Sequence, residues 1–215
     1  MTGNARCVIF SVTEKVIWSQ EEGMPVAFTE EQQAEIRKKL YDAAKKMVID
    51  TPYYAIKVEE LTKAAGISKG AFYKFYPAKE LLFYEILRSL HEELFSSAME
   101  NFTASQDQSA EENLCRTLLD CYDSVHTSRY RRFWMKDSHE IMAAIPEEKK
   151  TAQMEAEKEL FRKFLNQFGP LAVSEELAFT SLRALIMTVY SREKLGPDYE
   201  TILRWMAQGV CSHIF

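Results

Sequence analysis

The chain has 215 residues, a formal net charge of -5, 47% apolar and 27% charged residues, the mix of an ordinary globular protein with one large domain or two small ones. The negative total excludes a polycationic coat on nucleic acid but leaves room for a local basic face. Seven Gly and six Pro are too few for a turn-rich β protein, so the expected class is all-α. Cys7, Cys115, Cys121 and Cys211 form no CxxC pair, so no metal and no cofactor is expected, and scattered single cysteines fit a reducing, cytoplasmic setting. No apolar run approaches the ~20 residues of a membrane helix, and no membrane partner is expected.

Residues 1–28 show no clear period and are expected to be a disordered or non-native extension. Met24 is the expected natural start, with 1–23 a tag, an upstream misreading or an arm. Thr29 and Gln32 form a capping box, each side chain satisfying the other's backbone N–H. Ile36, Leu40, Ala43, Ala44 and Met47 then recur at helical spacing until Pro52 forces a stop near residue 50. Two short helical units are predicted at 58–65 and 68–75, closed by Pro77. A long amphipathic helix follows from 79 to about 99, with Phe83, Ile86, Leu87, Leu90 and Leu94 on one face. Further helices are predicted at about 111–127, 129–143, 147–168, 174–193 and 198–213, broken at Gly169-Pro170 and Gly196-Pro197. The organisation expected is an extension over 1–28, a three-helix unit over 29–77 and a larger helical unit over 78–215.

The informative stretch is 58–79, VEELTKAAGISKGAFYKFYPAK. It reads as a helix-turn-helix. Gly66 supplies the unusual backbone angles of the turn, and Ser68 caps the second helix. Leu61, Ala65, Ile67, Phe72 and Phe75 supply the contact between the helices. With the two phenylalanines facing inward, Lys69, Gly70, Tyr73 and Lys74 face out. That face has two cations, a tyrosine and no acid, and small residues let its N-terminal end come close to phosphate or to base edges in a major groove. Residues 57–79 hold five Lys against two Glu, a net of +3, while 81–215 hold 15 basic against 21 acidic residues, a net of -6.

These residues resemble the TetR family of transcriptional regulators, whose DNA-binding unit ends close to A-G-V/I-S-x-G-x-x-Y-x-x-F-x-x-K-E-x-L. The match here is Ala65, Gly66, Ile67, Ser68, Gly70, Tyr73, Tyr76 where the family more often has Phe, then Lys79, Glu80 and Leu82. Ile36, Leu40, Ala43 and Ala44 resemble the family's first helix. The chain departs from the family at Lys57-Val58, Thr62 and Ala71. The resemblance implies a DNA-binding unit in which Ser68, Lys69, Gly70, Ala71, Tyr73 and Lys74 meet DNA and Lys79 binds a backbone phosphate. It also implies a homodimer on double-stranded DNA with a palindromic operator, and a C-terminal unit that holds a small-molecule effector.

For the dimer seam, the last two helices each carry an apolar stripe. Leu182, Leu185 and Val189 mark one, Ile202 and Met206 the other. For the effector site the aromatic and polar candidates are Tyr122, His126, Tyr130, Phe133, Trp134, Phe161 and Phe164, with Met135, Met142, Met154 and Met187 as adaptable lining. The basic run 129–132 reads as a solvated helix start, with an anion or nucleic-acid patch as the sharper alternative. No P-loop, GxGxxG, HExxH or GxSxG is present, so no enzyme is expected. The competing reading is a helical adaptor or ligand-binding protein of the same fold that does not act on DNA. Lys69 and Lys74 argue against it.

Overall fold

The computed structural model describes residues 16–18, 25–101, 108–188 and 192–215. Ten α-helices follow a pair of three-residue strands: β1 (Val16–Trp18), β2 (Pro25–Ala27), α1 (Glu30–Met47), α2 (Val58–Ala65), α3 (Lys69–Phe75), α4 (Lys79–Asn101), α5 (Ala110–Thr127), a π-helical turn (Phe133–Asp137), α6 (Ser138–Ala144), α7 (Glu147–Leu165), α8 (Glu175–Met187), α9 (Arg192–Leu195) and α10 (Tyr199–Ile214). The class is all-α, a helix-turn-helix unit followed by a larger helical unit. The expectation of an unstructured 1–28 needs two corrections. The backbones of β1 and β2 pair antiparallel with Ile17 opposite Val26. Phe28 is buried, its ring 5.7 Å from that of Phe75. The folded unit therefore begins before its first helix. Residues 1–15 and 19–24 lie outside the described residues.

Local signals set most helix ends. Thr29 and Gln32 make both bonds of the capping box at α1. Ser68, Ser109 and Ser174 cap α3, α5 and α8 through their hydroxyls. Gly66 ends α2 at φ 71°, and its N–H and that of Ile67 both reach the Thr62 carbonyl. Added side-chain atoms at Gly66 would meet nothing within 4 Å, so the glycine is there for its backbone angle and not for room.

The packing divides the molecule differently from the chain. One core holds Ile36, Leu40, Ala44, Leu61, Phe72, Phe75, Phe83 and Ile86, together with Tyr130, Phe133, Trp134, Ile141 and Ile145 from beyond α5. The second holds Ala98, Leu114, Tyr122, Phe161, Phe164, Leu182, Tyr199, Leu203 and Cys211. The helix α4 runs through both: Leu90 belongs to the first core and Ala98 to the second. The stretch 130–145, expected to belong with the C-terminal unit, thus completes the core of the N-terminal one. It is also not the single regular helix read at 129–143. Ser138 N–H bonds the Phe133 carbonyl, an i to i+5 step, so one extra residue is wound into the turn before α6.

Candidate nucleic-acid interface and apolar cavity

The outward face of α3 is built by what its inward face buries. Phe72 and Phe75 are sealed in the core, leaving Ser68, Lys69, Gly70, Tyr73 and Lys74 exposed. Tyr73 stands 45% exposed with its ring edge-on to Phe72 at 5.4 Å. Ser68 Oγ accepts from Ala71 N–H at 3.1 Å. A side chain at Gly70 would meet only Ser68 Oγ, at 3.9 Å, an ordinary contact, so the fold itself places no demand for glycine there.

Three expectations on this face change. Ala71 is buried, not DNA-facing. It lies one helical turn before Phe75 and shares its inward side. Lys69 pairs with Glu59 of α2 at 2.7 Å, and the hydrogen bond raises the lysine pKa and lowers that of the glutamate. Both partners are exposed, so the pair can open for another anion. Lys79, expected on a phosphate, turns its ammonium to the carbonyls of Tyr53, Tyr54 and Ile56 at 3.2, 3.1 and 3.3 Å. Three donors meet three acceptors, with the charge 5.5 Å from the Tyr53 ring centre. The ammonium closes the loop between α1 and α2 onto the start of α4.

The hydroxyl that Tyr76 has in place of a phenylalanine hydrogen donates to Glu85 of α4 at 2.7 Å, while Arg37 lies over the Phe75 and Tyr76 rings. Burial and the neighbouring Glu85 both push the phenol pKa up. The end of α3 is thereby tied to α4. Tyr54 is 65% exposed on the loop that Lys79 holds. Within the short apolar link 53–56 no local sign tells which tyrosine faces out.

Where the two cores meet along α4 there is a cavity of about 120 Å³. Its wall comes from α4 (His91, Leu94, Phe95, Ala98), α5 (Leu118, Leu119, Cys121, Tyr122, Val125), the π turn (Trp134, Met135), α7 (Phe161, Phe164), α8 (Leu185, Ile186) and α10 (Leu203, Ala207). Among these lining residues there is no Asp, Glu, Lys or Arg. The His91 ring meets the edge of Trp134 at 4.4 Å. Burial there holds the imidazole pKa below its ordinary value, against a smaller opposing pull from Glu157, so the ring is neutral near pH 7. Burial pushes the Cys121 thiol up to about 11. Tyr122 Oη is buried and has no hydrogen-bond partner among the described residues.

Of the expected effector residues, Tyr122, Trp134, Phe161 and Phe164 line this cavity. Tyr130 and Phe133 do not: both are packed in the first core. His126 is not part of the wall; its ring stacks on Tyr122 and contacts Arg192. Of the four methionines only Met135 reaches the wall. Missed were the α4 residues His91, Phe95 and Ala98, which lie outside the stripe Phe83, Ile86, Leu87, Leu90 and Leu94 read on this helix.

The seam residues also separate. Leu182 and Leu185 are buried in the chain's own core, though Leu185 also borders the open strip beside it. Ile202 and Met206 are half-buried, and Val189 lies outside the described residues. The open apolar strip on α8 and α10 keeps Leu185 and Met206 of the expected set and adds Leu177, Ser181, Ala184, Gly209 and Val210. The basic run 129–132 is not uniformly solvated either. Arg131 is exposed, but Arg132 points inward. Its guanidinium bonds Val48 and Thr51 carbonyls at 2.7 and 2.6 Å and Asp137 Oδ2 at 2.9 Å.

Residues 40–86 match the family model described as bacterial regulatory proteins, tetR family. No curated protein sequence matches the chain. Similar solved structures include a TetR transcriptional regulator from Rhodococcus sp. RHA1, 15% identical, TM-score 0.61, covering 83% of this chain and 97% of its own. RolR in complex with resorcinol is 17% identical, TM-score 0.57, covering 86% and 96%. FadR of Thermus thermophilus, a TetR-family repressor in complex with lauroyl-CoA, is 17% identical, TM-score 0.58, covering 83% and 95%. The fold is that of these regulators.

Proposed function

We propose that this TetR-like chain is a DNA-binding transcriptional repressor that works as a homodimer and is released by a small, uncharged, largely apolar or aromatic effector. The observation that carries the reading is the outer face of α3. Lys69, Gly70, Tyr73 and Lys74 stand exposed together on a helix whose other side is sealed, inside the segment that matches the family model. Two cations and a tyrosine on a face of small residues suit a major groove: lysines meet guanine edges or phosphate, and Tyr73 meets phosphate or a thymine methyl. Gly70, which the fold does not require, lets the duplex approach. Lys79 acts behind this face by fixing the loop that leads into α2.

Dimerisation rests on the open strip of α8 and α10. Ser181, Ala184 and Gly209 let two helices from each subunit approach closely, and Leu177, Met206 and Val210 supply apolar area. Two heads then read a palindrome, and effector binding releases them by disfavouring their common spacing.

The effector reading rests on the cavity. A dry apolar void of roughly 150 Å³ admits benzene, so about 120 Å³ of space suits a molecule of about one ring. The uncharged wall disfavours an ion. One hydrogen-bonding group on the ligand would satisfy Tyr122 Oη. RolR was solved with a ligand of this scale. Selection of bound duplexes from a random pool tests the DNA reading. Enrichment of a two-fold symmetric site is expected, and a pool unchanged after repeated rounds overturns it.

A further inference from the structure

Resting on that reading, we infer that Arg132 and Asp137 are positioning residues that carry the state of the cavity to the reading head. The π turn at 133–137 has two allegiances. Trp134 and Met135, inside it, form part of the cavity wall. Arg132 and Asp137, which bracket them, hold the loop between α1 and α2. Arg132 donates to the carbonyls of Val48 and Thr51, and Asp137 Oδ2 takes both an Arg132 N–H and the backbone N–H of Tyr53, the last at 3.1 Å. Three of these bonds tie residues 81 to 84 positions apart in the chain, and the fourth joins Arg132 to Asp137.

The loop they grip is the one that sets the head. It ends α1, starts α2, and is held from its other side by Lys79. Phe133 lies 6.4 Å from Phe83, and Phe83 lies 5.7 Å from Tyr53, so the turn and the loop also share a packed aromatic stack. Asp137 is buried, and a close-packed interior passes displacement on instead of absorbing it.

A relay needs an element with two arrangements, and in this proposal that element is the π turn. Its i to i+5 step from Ser138 to Phe133 accommodates one residue more than an α-helical turn. A ligand that presses on Trp134 or Met135 favours a different winding, which changes the angular offset between Arg132 and Asp137. Both then cannot keep their loop partners, and α2 and α3 shift with the loop. By linkage, DNA that fixes the loop alters ligand affinity by the same factor.

The test is hydrogen exchange on the full chain, reading amides of residues 48–57 with and without saturating phenol, a neutral one-ring probe. A second arm needs no ligand: Met135→Phe presses on the same wall. With the clamp residues intact either perturbation should change exchange of the Tyr53 segment about fivefold or more, the low end of ordinary coupling. In Asp137→Ala and in Arg132→Gln that response should disappear while phenol still binds. Asp137→Asn, which keeps an acceptor for the Tyr53 amide, should restore part of it. A merely structural role would lower the melting temperature and leave the response intact.

A response that survives in both clamp variants, or no response with the clamp intact to either bound phenol or Met135→Phe, overturns the relay. Failure of phenol to bind counts against the ligand reading alone, with the Met135→Phe arm still deciding the clamp. Failure to select an operator counts against the DNA reading and leaves the exchange result standing.

Discussion

The outer face of α3 and the cavity at the junction of the two cores are built in opposite ways. The α3 face is local: a glycine at positive φ, a serine cap and two inward phenylalanines within ten residues dictate which side chains are left outside. The cavity draws its wall from five helices and the π turn, and none of them carries a mark of it. A locally built surface is changed one side chain at a time. A wall shared by distant elements answers to packing anywhere along it.

The sharpest way to break that contrast is in α8, where one turn of helix holds both kinds of residue. Leu182 is fully buried and Ala184 is exposed. Leu182→Asp leaves a buried charge without a partner and should cost roughly 3–5 kcal/mol, seen as early unfolding in urea. Ala184→Asp should leave the urea midpoint nearly unchanged and convert a dimer to a monomer in light scattering. A dimer that persists in Ala184→Asp moves the interface off this strip.

Neighbours on α3 make the same comparison. Phe72→Ala removes a fully buried ring and should cost about 3–5 kcal/mol, with operator binding lost through unfolding. Tyr73→Ala, next to it and exposed, should stay within about 0.5 kcal/mol in stability while operator affinity drops in a retardation assay. Equal thermal losses in the two variants would show that Tyr73 props the fold.

The cavity has its own pH signature. The folded pKa of His91 is depressed by burial, so the unfolded chain takes up a proton at higher pH than the folded one. Stability should therefore fall as pH drops through the ordinary histidine value near 6.5, with a slope of at most ~1.4 kcal/mol per pH unit for this group. The melting temperature of the unmodified chain should decline from pH 7.5 to 5.5 more steeply than that of His91→Leu. His126, depressed by burial and by Arg192, contributes to the same window and should account for part of what remains. Identical slopes would remove His91 from the account.

The smallest effect separates two lysines. Lys74→Ala should lower the salt slope of operator binding by about 0.9 without moving the melting temperature. Lys79→Ala removes three bonds to the loop, so it should weaken binding and lower the melting temperature together. A Lys79→Ala chain with unchanged melting and a reduced salt slope would return that lysine to the phosphate.

Spacing and caps alone determined the helices of the N-terminal unit, the outward set Lys69, Gly70, Tyr73 and Lys74, and the inward stripe of α4, because each depends on bonds and periodicities within one or two turns of chain. The sequence also held the sign that Ala71 faces inward, four residues before Phe75, though the family resemblance pointed the other way. Tertiary structure decided the rest. Only packing shows that Leu182 and Leu185 fill their own core, that Tyr130 and Phe133 complete the N-terminal one, and that α4 passes from one core to the other beside a void. In the sequence Arg132 reads as a solvated cation and Lys79 as a phosphate contact, since the carbonyls they bind lie at least 23 residues away. A carbonyl acceptor belongs to every residue type, so no pattern of side chains can announce which backbone a buried cation will hold.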